Sequence, residues 1–88
     1  MIEEVREIFN NNQYLKKIVL EALAARPMKT KNIIAYISRK NFYYDFDESE
    51  RESLARRIYF ILKEREVGGM VENEDGRYRL CEFYKKYR

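Results

Sequence analysis

Up to Val67 the apolar residues of this chain recur at three- and four-residue intervals, and beyond Gly68-Gly69 they alternate at every second position. The first spacing is that of an amphipathic helix and the second that of a half-buried strand, so the chain reads as α+β with its main strands at the C-terminal end. The break between the two is marked by a glycine pair, which ends helices because glycine enters left-handed backbone without a Cβ clash. After it, Met70-Val71 opens a strand and Asn73-Glu74-Asp75-Gly76 makes a turn whose Asp-Gly pair favours a tight hairpin. On the return, Tyr78 and Leu80 alternate with Arg77 and Arg79, two inward and two outward.

The helical part divides at its own punctuation. Residues 2–9 place Ile2, Val5, Ile8 and Phe9 on one side of a short helix, interrupted by Asn10, Asn11 and Asn12, of which Asn12 is predicted to cap the next. Over 13–26, Leu15, Ile18, Val19, Ala22 and Leu23 draw one core-facing stripe, Leu20 lies off it, and Pro27 ends the helix. Met28-Lys29 is long enough only for a bridge of extended chain, and Thr30 is predicted to cap a helix over 31–41 with Ile33, Tyr36 and Ile37 inside. Residues 42–47 form an aromatic loop, in which Tyr43 and Tyr44 are expected to pack on the core. A longer helix over 48–66 follows, where Asp47 with Glu50 and Ser49 with Glu52 both have capping-box spacing. Its inner stripe is Leu54, Ile58, Ile61, Leu62 and the stem of Arg65.

Size and composition narrow the function. Eighty-eight residues make one domain, and 45% hydrophobic residues suffice for a packed fold. With Cys81 as the single cysteine and no histidine, neither a disulfide nor a zinc site is expected. The same absences, and the lack of a glycine-rich phosphate loop, leave no acid–base, nucleophile or cofactor constellation, so the expectation is a non-enzyme with no cofactor, no metal and no identifiable small-molecule ligand. No apolar run approaches the ~20 residues of a membrane span, and the N-terminus lacks the pattern of a signal peptide. A cytoplasmic protein is expected. A domain this small is marginally stable alone. A homodimer is therefore predicted, held partly by the stripe of residues 2–9 with Leu20, the alternative being that this helix folds back on its own domain. The division expected is 1–12 for the short helix and its asparagine-rich turn, 13–83 for the main domain, and 84–88 for a basic, aromatic tail.

Eighteen Lys and Arg against fifteen Asp and Glu give a net charge of only +3. The distribution is more informative. Lys16, Lys17, Arg26, Lys29, Lys31, Arg39 and Lys40 face only Glu21, Asp45 and Asp47 over residues 13–47, whereas the first twelve residues lean acidic.

The stretch SLARRIYFILKEREVGG, running into MVENEDGRYRL, resembles the winged helix-turn-helix DNA-binding superfamily, and the likeness extends over roughly residues 14–80. The aromatic NFYYDF connection is similar to the linker-histone and forkhead branch, without the forkhead recognition-helix signature; the small size and missing histidine are similar to winged-helix regulators of thermophilic archaea and their viruses. The resemblance implies a three-helix core with a two-stranded C-terminal wing, here with an extra N-terminal helix. It also implies double-stranded DNA as partner and transcription regulation by a dimer, the helix over 48–66 entering the major groove while the wing touches backbone or minor groove.

Carried onto this chain, the outward face of that helix is Ser49, Glu52, Ser53, Arg56, Phe60 and Lys63, with Arg57 at its margin. Arg56 is then the first candidate for base readout, Lys29 and Lys31 for phosphate contact, and Arg77 and Arg79 for the wing. Two features pull the other way. The helix over 48–66 carries as many acids as bases, with Glu52 and Arg56 spaced to pair on a solvated face, and Glu72, Glu74 and Asp75 make the wing tip acidic. A protein-interaction module and a non-specific architectural DNA binder therefore stand as alternatives. The tail Phe83-Tyr84-Lys85-Lys86-Tyr87-Arg88 suits nucleic acid or a dimer partner equally.

Overall fold

Side-chain oxygens and two glycines decide where the helices begin and end. A computed structural model describes residues 3–81, arranged as α1 (Glu3–Asn10), α2 (Asn12–Ala25), β1 (Met28–Lys29), α3 (Thr30–Lys40), α4 (Glu48–Val67), β2 (Val71–Glu74) and β3 (Arg77–Leu80). The cap of α2 is Asn11, not Asn12: its Oδ1 accepts from the backbone N–H groups of Gln13 (3.0 Å) and Tyr14 (3.2 Å). Asn12 becomes the first helical residue and its side chain is free for another use. At α4 the Asp47–Glu50 capping box forms in both directions, at 2.8 and 2.9 Å. The helix closes in a Schellman motif, Met70 N–H to the Arg65 carbonyl at 2.9 Å and Gly69 N–H to that of Glu66 at 3.1 Å, which needs the left-handed φ of +79° that Gly69 supplies.

Thr30 does not cap α3. Met28 and Lys29 are a strand, paired antiparallel with Tyr78 and Arg77, so the chain passes from sheet to helix with Lys29 in the cap position and no side-chain hydrogen bond there. The sheet has three antiparallel strands in the order β1-β3-β2, with β3 in the middle. The β2–β3 hairpin turns on two residues, Asp75 (φ +55°) and Gly76 (φ +84°), the primed geometry that matches strand twist.

Met28, Val71, Tyr78 and Leu80 cover one side of the core; Val5 and Ile8 of α1, the stripe of α2, Ile33 and Ile37 of α3, Phe46, and Leu54, Ile58, Ile61 and Leu62 of α4 supply the rest. Tyr36, expected inside, is only partly buried and donates its hydroxyl to Glu21 at 2.9 Å. The N-terminal helix departs from the dimer expectation. Val5 and Ile8 are fully buried in their own chain, Phe9 packs edge-to-face on Phe46 at 6.0 Å, and Leu20 lies partly buried against the same core. Burying each such side chain is worth ~1.5–3 kcal/mol, so the stripe is spent within the subunit. Ile2, with residues 82–88 including the basic tail, lies outside the described residues.

The aromatic loop splits. Phe46 is buried and Tyr44 partly so, with ring centroids 5.0 Å apart. Tyr43, expected on the core, is 75% exposed beside Phe42 at 87%, both at φ +59°. The buried Asn41 donates Nδ2–H to the Ile37 carbonyl (2.8 Å), and Ser38 donates its hydroxyl to the Tyr44 carbonyl (2.7 Å), so the chain must turn back within two residues and both rings point to solvent.

Candidate nucleic-acid interface

Paired residues in an antiparallel sheet share a face, so the register places Lys29, Arg77 and Glu74 in one row across β1, β3 and β2. Lys29 and Arg77 are exposed and directly opposite each other, an arrangement that like charges disfavour. Neither makes an ion pair with a described residue. Two residues along on the same face, Arg79 meets Glu72 at 3.5 Å, both well exposed.

Lys31 stands one residue inside α3, exposed, on the rim of a groove of about 560 Å³ between the start of α3 and the first turns of α4. Glu48 and Glu52 line the opposite wall with Ala55 and Arg51, and Ile34 forms part of the apolar lining. A smaller depression of about 210 Å³ continues past Lys31, Ile34 and Arg51 to the aromatic loop. Arg51 donates to the Phe46 carbonyl.

On the outward stripe of α4, Ser49 and Arg56 are exposed and Ser53 is half-buried. Arg56 makes no ion pair with a described residue; the Glu52–Arg56 pair is not formed. Its neighbour behaves differently. Arg57 donates to the Ile8 carbonyl at 2.8 Å and to Asn12 Oδ1 at 2.9 and 3.1 Å, fastening the end of α1 to α4, and burial holds its pKa below the ordinary value. Lys63 is also engaged, with Glu66 at 3.2 Å and over the Tyr59 ring at 5.5 Å; the hydrogen bond to Glu66 leads in raising its pKa. Of the nine basic and serine positions singled out from sequence, then, Lys29 and Arg77 are paired across β1 and β3, Lys31 follows two residues on at the α3–α4 groove, and Ser49, Ser53 and Arg56 share the face of α4. Arg57, Lys63 and Arg79 are committed within the fold. Lys17, Arg26 and Arg39 also lack an ion pair among the described residues.

Sequence reasoning missed a second charged cluster. Lys40 Nζ lies 2.9 Å from Glu21 and 3.4 Å from Glu4; Tyr14 donates its hydroxyl to Glu4 and Tyr36 donates its own to Glu21, each at 2.9 Å. The hydrogen bond from Lys40 lowers the pKa of Glu21. Burial alone would lower that of Lys40, but Glu21 and Glu4 outweigh it and the net shift is upward. The cluster joins α1, α2 and α3, and no local spacing in the sequence signals it. Cys81 is partly buried, its thiol pushed up in pKa first by burial and then by Glu72, the opposite of an activated nucleophile.

Among the described residues no helix is long and apolar enough to cross a membrane, and no three His, Cys, Asp or Glu side chains are grouped to hold a metal ion. Protein-family models, curated proteins and solved structures were compared with this chain, and none matches.

Proposed function

We propose that this chain is a winged-helix protein that binds double-stranded DNA and acts as a sequence-specific transcription regulator. The observation that carries it is the exposed pair Lys29 and Arg77, placed opposite each other by strand pairing with Lys31 beside them. Lys29 and Arg77 repel, Glu74 opposite Arg77 offsets this in part without forming an ion pair, and an anion from outside, such as a phosphate, relieves what is left. The start of α3 adds to this. Its first N–H groups receive no side-chain cap, and such groups favour phosphate oxygens. In this reading α3 and α4 are the helix-turn-helix and the β2–β3 hairpin is the wing. Arg56 and Ser49 meet base edges from α4, while Lys29, Lys31 and Arg77 hold the backbone.

Duplex binding measured against salt tests it. Three phosphate-neutralising cations, Lys29, Lys31 and Arg77, give a log–log slope of about −2.7, at about −0.9 per contact. Arg56→Ala should cost about 1–3 kcal/mol on a selected site and flatten discrimination at one or two base positions; Lys31→Ala should weaken all sequences equally and reduce the slope by about one. The second reading, a protein-interaction module, draws on Glu48 and Glu52 across the groove from Lys31. Absence of binding to duplex at about 50 mM salt, where nonspecific contacts are strong, decides for it.

A further inference from the structure

The outward stripe of α4 changes character along its length. Before Arg56 it is serine and glutamate; after it, Phe60 is 65% exposed, Val67 90% and Tyr59 47%. Tyr59 and Phe60 pack edge-to-face at 5.8 Å on this surface. The three belong to a regular helix, and no described part of the chain covers them. We propose that this half of α4 binds the same half of a second copy of the chain, the two helices running antiparallel and crossing between Lys63 and Glu64.

Helical spacing puts Phe60, Lys63, Glu64 and Val67 on one stripe. A two-fold axis between Lys63 and Glu64 sets Phe60 against Val67 of the second copy, twice, and Lys63 against its Glu64, twice. The stripe is thus apolar at its ends and self-complementary in charge at its centre. A parallel arrangement would instead oppose Lys63 to Lys63 and Glu64 to Glu64. The present partners of these charges, Glu66 at 3.2 Å and Lys16 at 3.3 Å, are only partly exposed, so the second copy engages Lys63 and Glu64 by sharing these pairs at the rim of the contact. Two aromatics and a valine from each copy, with the stems around them, bury on the order of 1,000 Å² in total, the lower bound for a specific interface. The dimer is accordingly reversible. It replaces the contact expected of residues 2–9, of which Val5 and Ile8 are buried and Phe9 partly buried inside the subunit; because Arg56 precedes Phe60 by one turn on the same stripe, the second copy and a duplex compete for this face, and the dimer is measured without DNA.

Sedimentation equilibrium of the full chain over roughly 1 μM to 1 mM should show a monomer–dimer equilibrium. Phe60→Ser and Val67→Glu, both at exposed positions, should each weaken it by about tenfold or more while leaving the thermal midpoint close to that of the parent. Lys63→Glu should weaken it too, and the exchange Lys63→Glu with Glu64→Lys should restore it. A chain that is monomeric throughout, a dimer indifferent to Phe60→Ser and Val67→Glu, or an exchange that stays as weak as Lys63→Glu alone overturns the proposal.

Discussion

At the start of α3 stand Lys29, Lys31 and Arg77, exposed and without an ion-pair partner among the described residues; at its end, eleven residues along the helix, Lys40 is shared between Glu4 and Glu21. The two ends carry similar side chains in opposite states of satisfaction. A cation answered by carboxylates from neighbouring helices is part of the scaffold, and its removal should register in stability. A cation set beside other cations contributes nothing to the scaffold, or opposes it, and its removal should register in binding. Arg56 and Arg57 repeat the contrast at adjacent positions.

The largest expected effect in this comparison is at Arg57. Arg57→Ala removes hydrogen bonds from a charged donor to the Ile8 carbonyl and Asn12 and should destabilise by about 1.5–3 kcal/mol. In a domain of this size that lowers the thermal midpoint by roughly 10 °C, with the salt slope of duplex binding unchanged. A stable variant with a shallower slope would move Arg57 to the binding side of the comparison. The double change Lys29→Ala with Arg77→Ala should do the reverse: an unchanged or slightly higher midpoint, and a slope that falls from about −2.7 to about −0.9. A variant that loses stability without losing binding would show that the pair serves the sheet.

The smallest effect belongs to Lys40. Lys40→Met should cost up to about 1 kcal/mol, screened because its partners are partly exposed, and should leave duplex binding alone. Its pH dependence follows from the two shifts. The lowered pKa of Glu21 contributes stability that is present above its ordinary unfolded value and lost as pH falls through the lowered folded one. The raised pKa of Lys40 contributes stability that is present below its unfolded value and lost as pH rises through the raised folded one. Urea unfolding of parent and variant should therefore differ at neutral pH and converge at both extremes; a constant difference would mean that packing, and not charge, is what Lys40 supplies.

Features carried by neighbours in sequence were legible before the structure was known. The stripes of α2 and α4, the Asp47–Glu50 box, the Gly68-Gly69 stop and the Asp75-Gly76 turn are all written within a few residues of where they act. Assignments went astray where a distant partner intervened. Thr30 lost its capping role because β1 pairs with β3, about fifty residues away, and draws the chain into the sheet up to Lys29. Helical spacing sets Arg57 at the margin of the outward face but does not show that it is tied down, since its acceptors Ile8 and Asn12 lie on the far side of two helices in sequence. The stripe of residues 2–9 was recognised, but amphipathicity reports only that a face will be covered and is silent on what covers it. The alternation of the return strand already turns Arg77 outward; that Lys29 is its neighbour required the third strand.

The central place of β3 has a consequence for how the protein is made. It is the last described element in the chain, yet it supplies Tyr78 and Leu80 to the core and, among the described residues, the only strand to which β1 pairs. During synthesis the four helices leave the ribosome with that side of their shared core still open, and nothing nearer in sequence closes it. Domains fold as units when their parts are all present, so this one should stay loosely collapsed until residue 80 has emerged and then close in a single step, its first and last thirds stitched together by a strand of four residues.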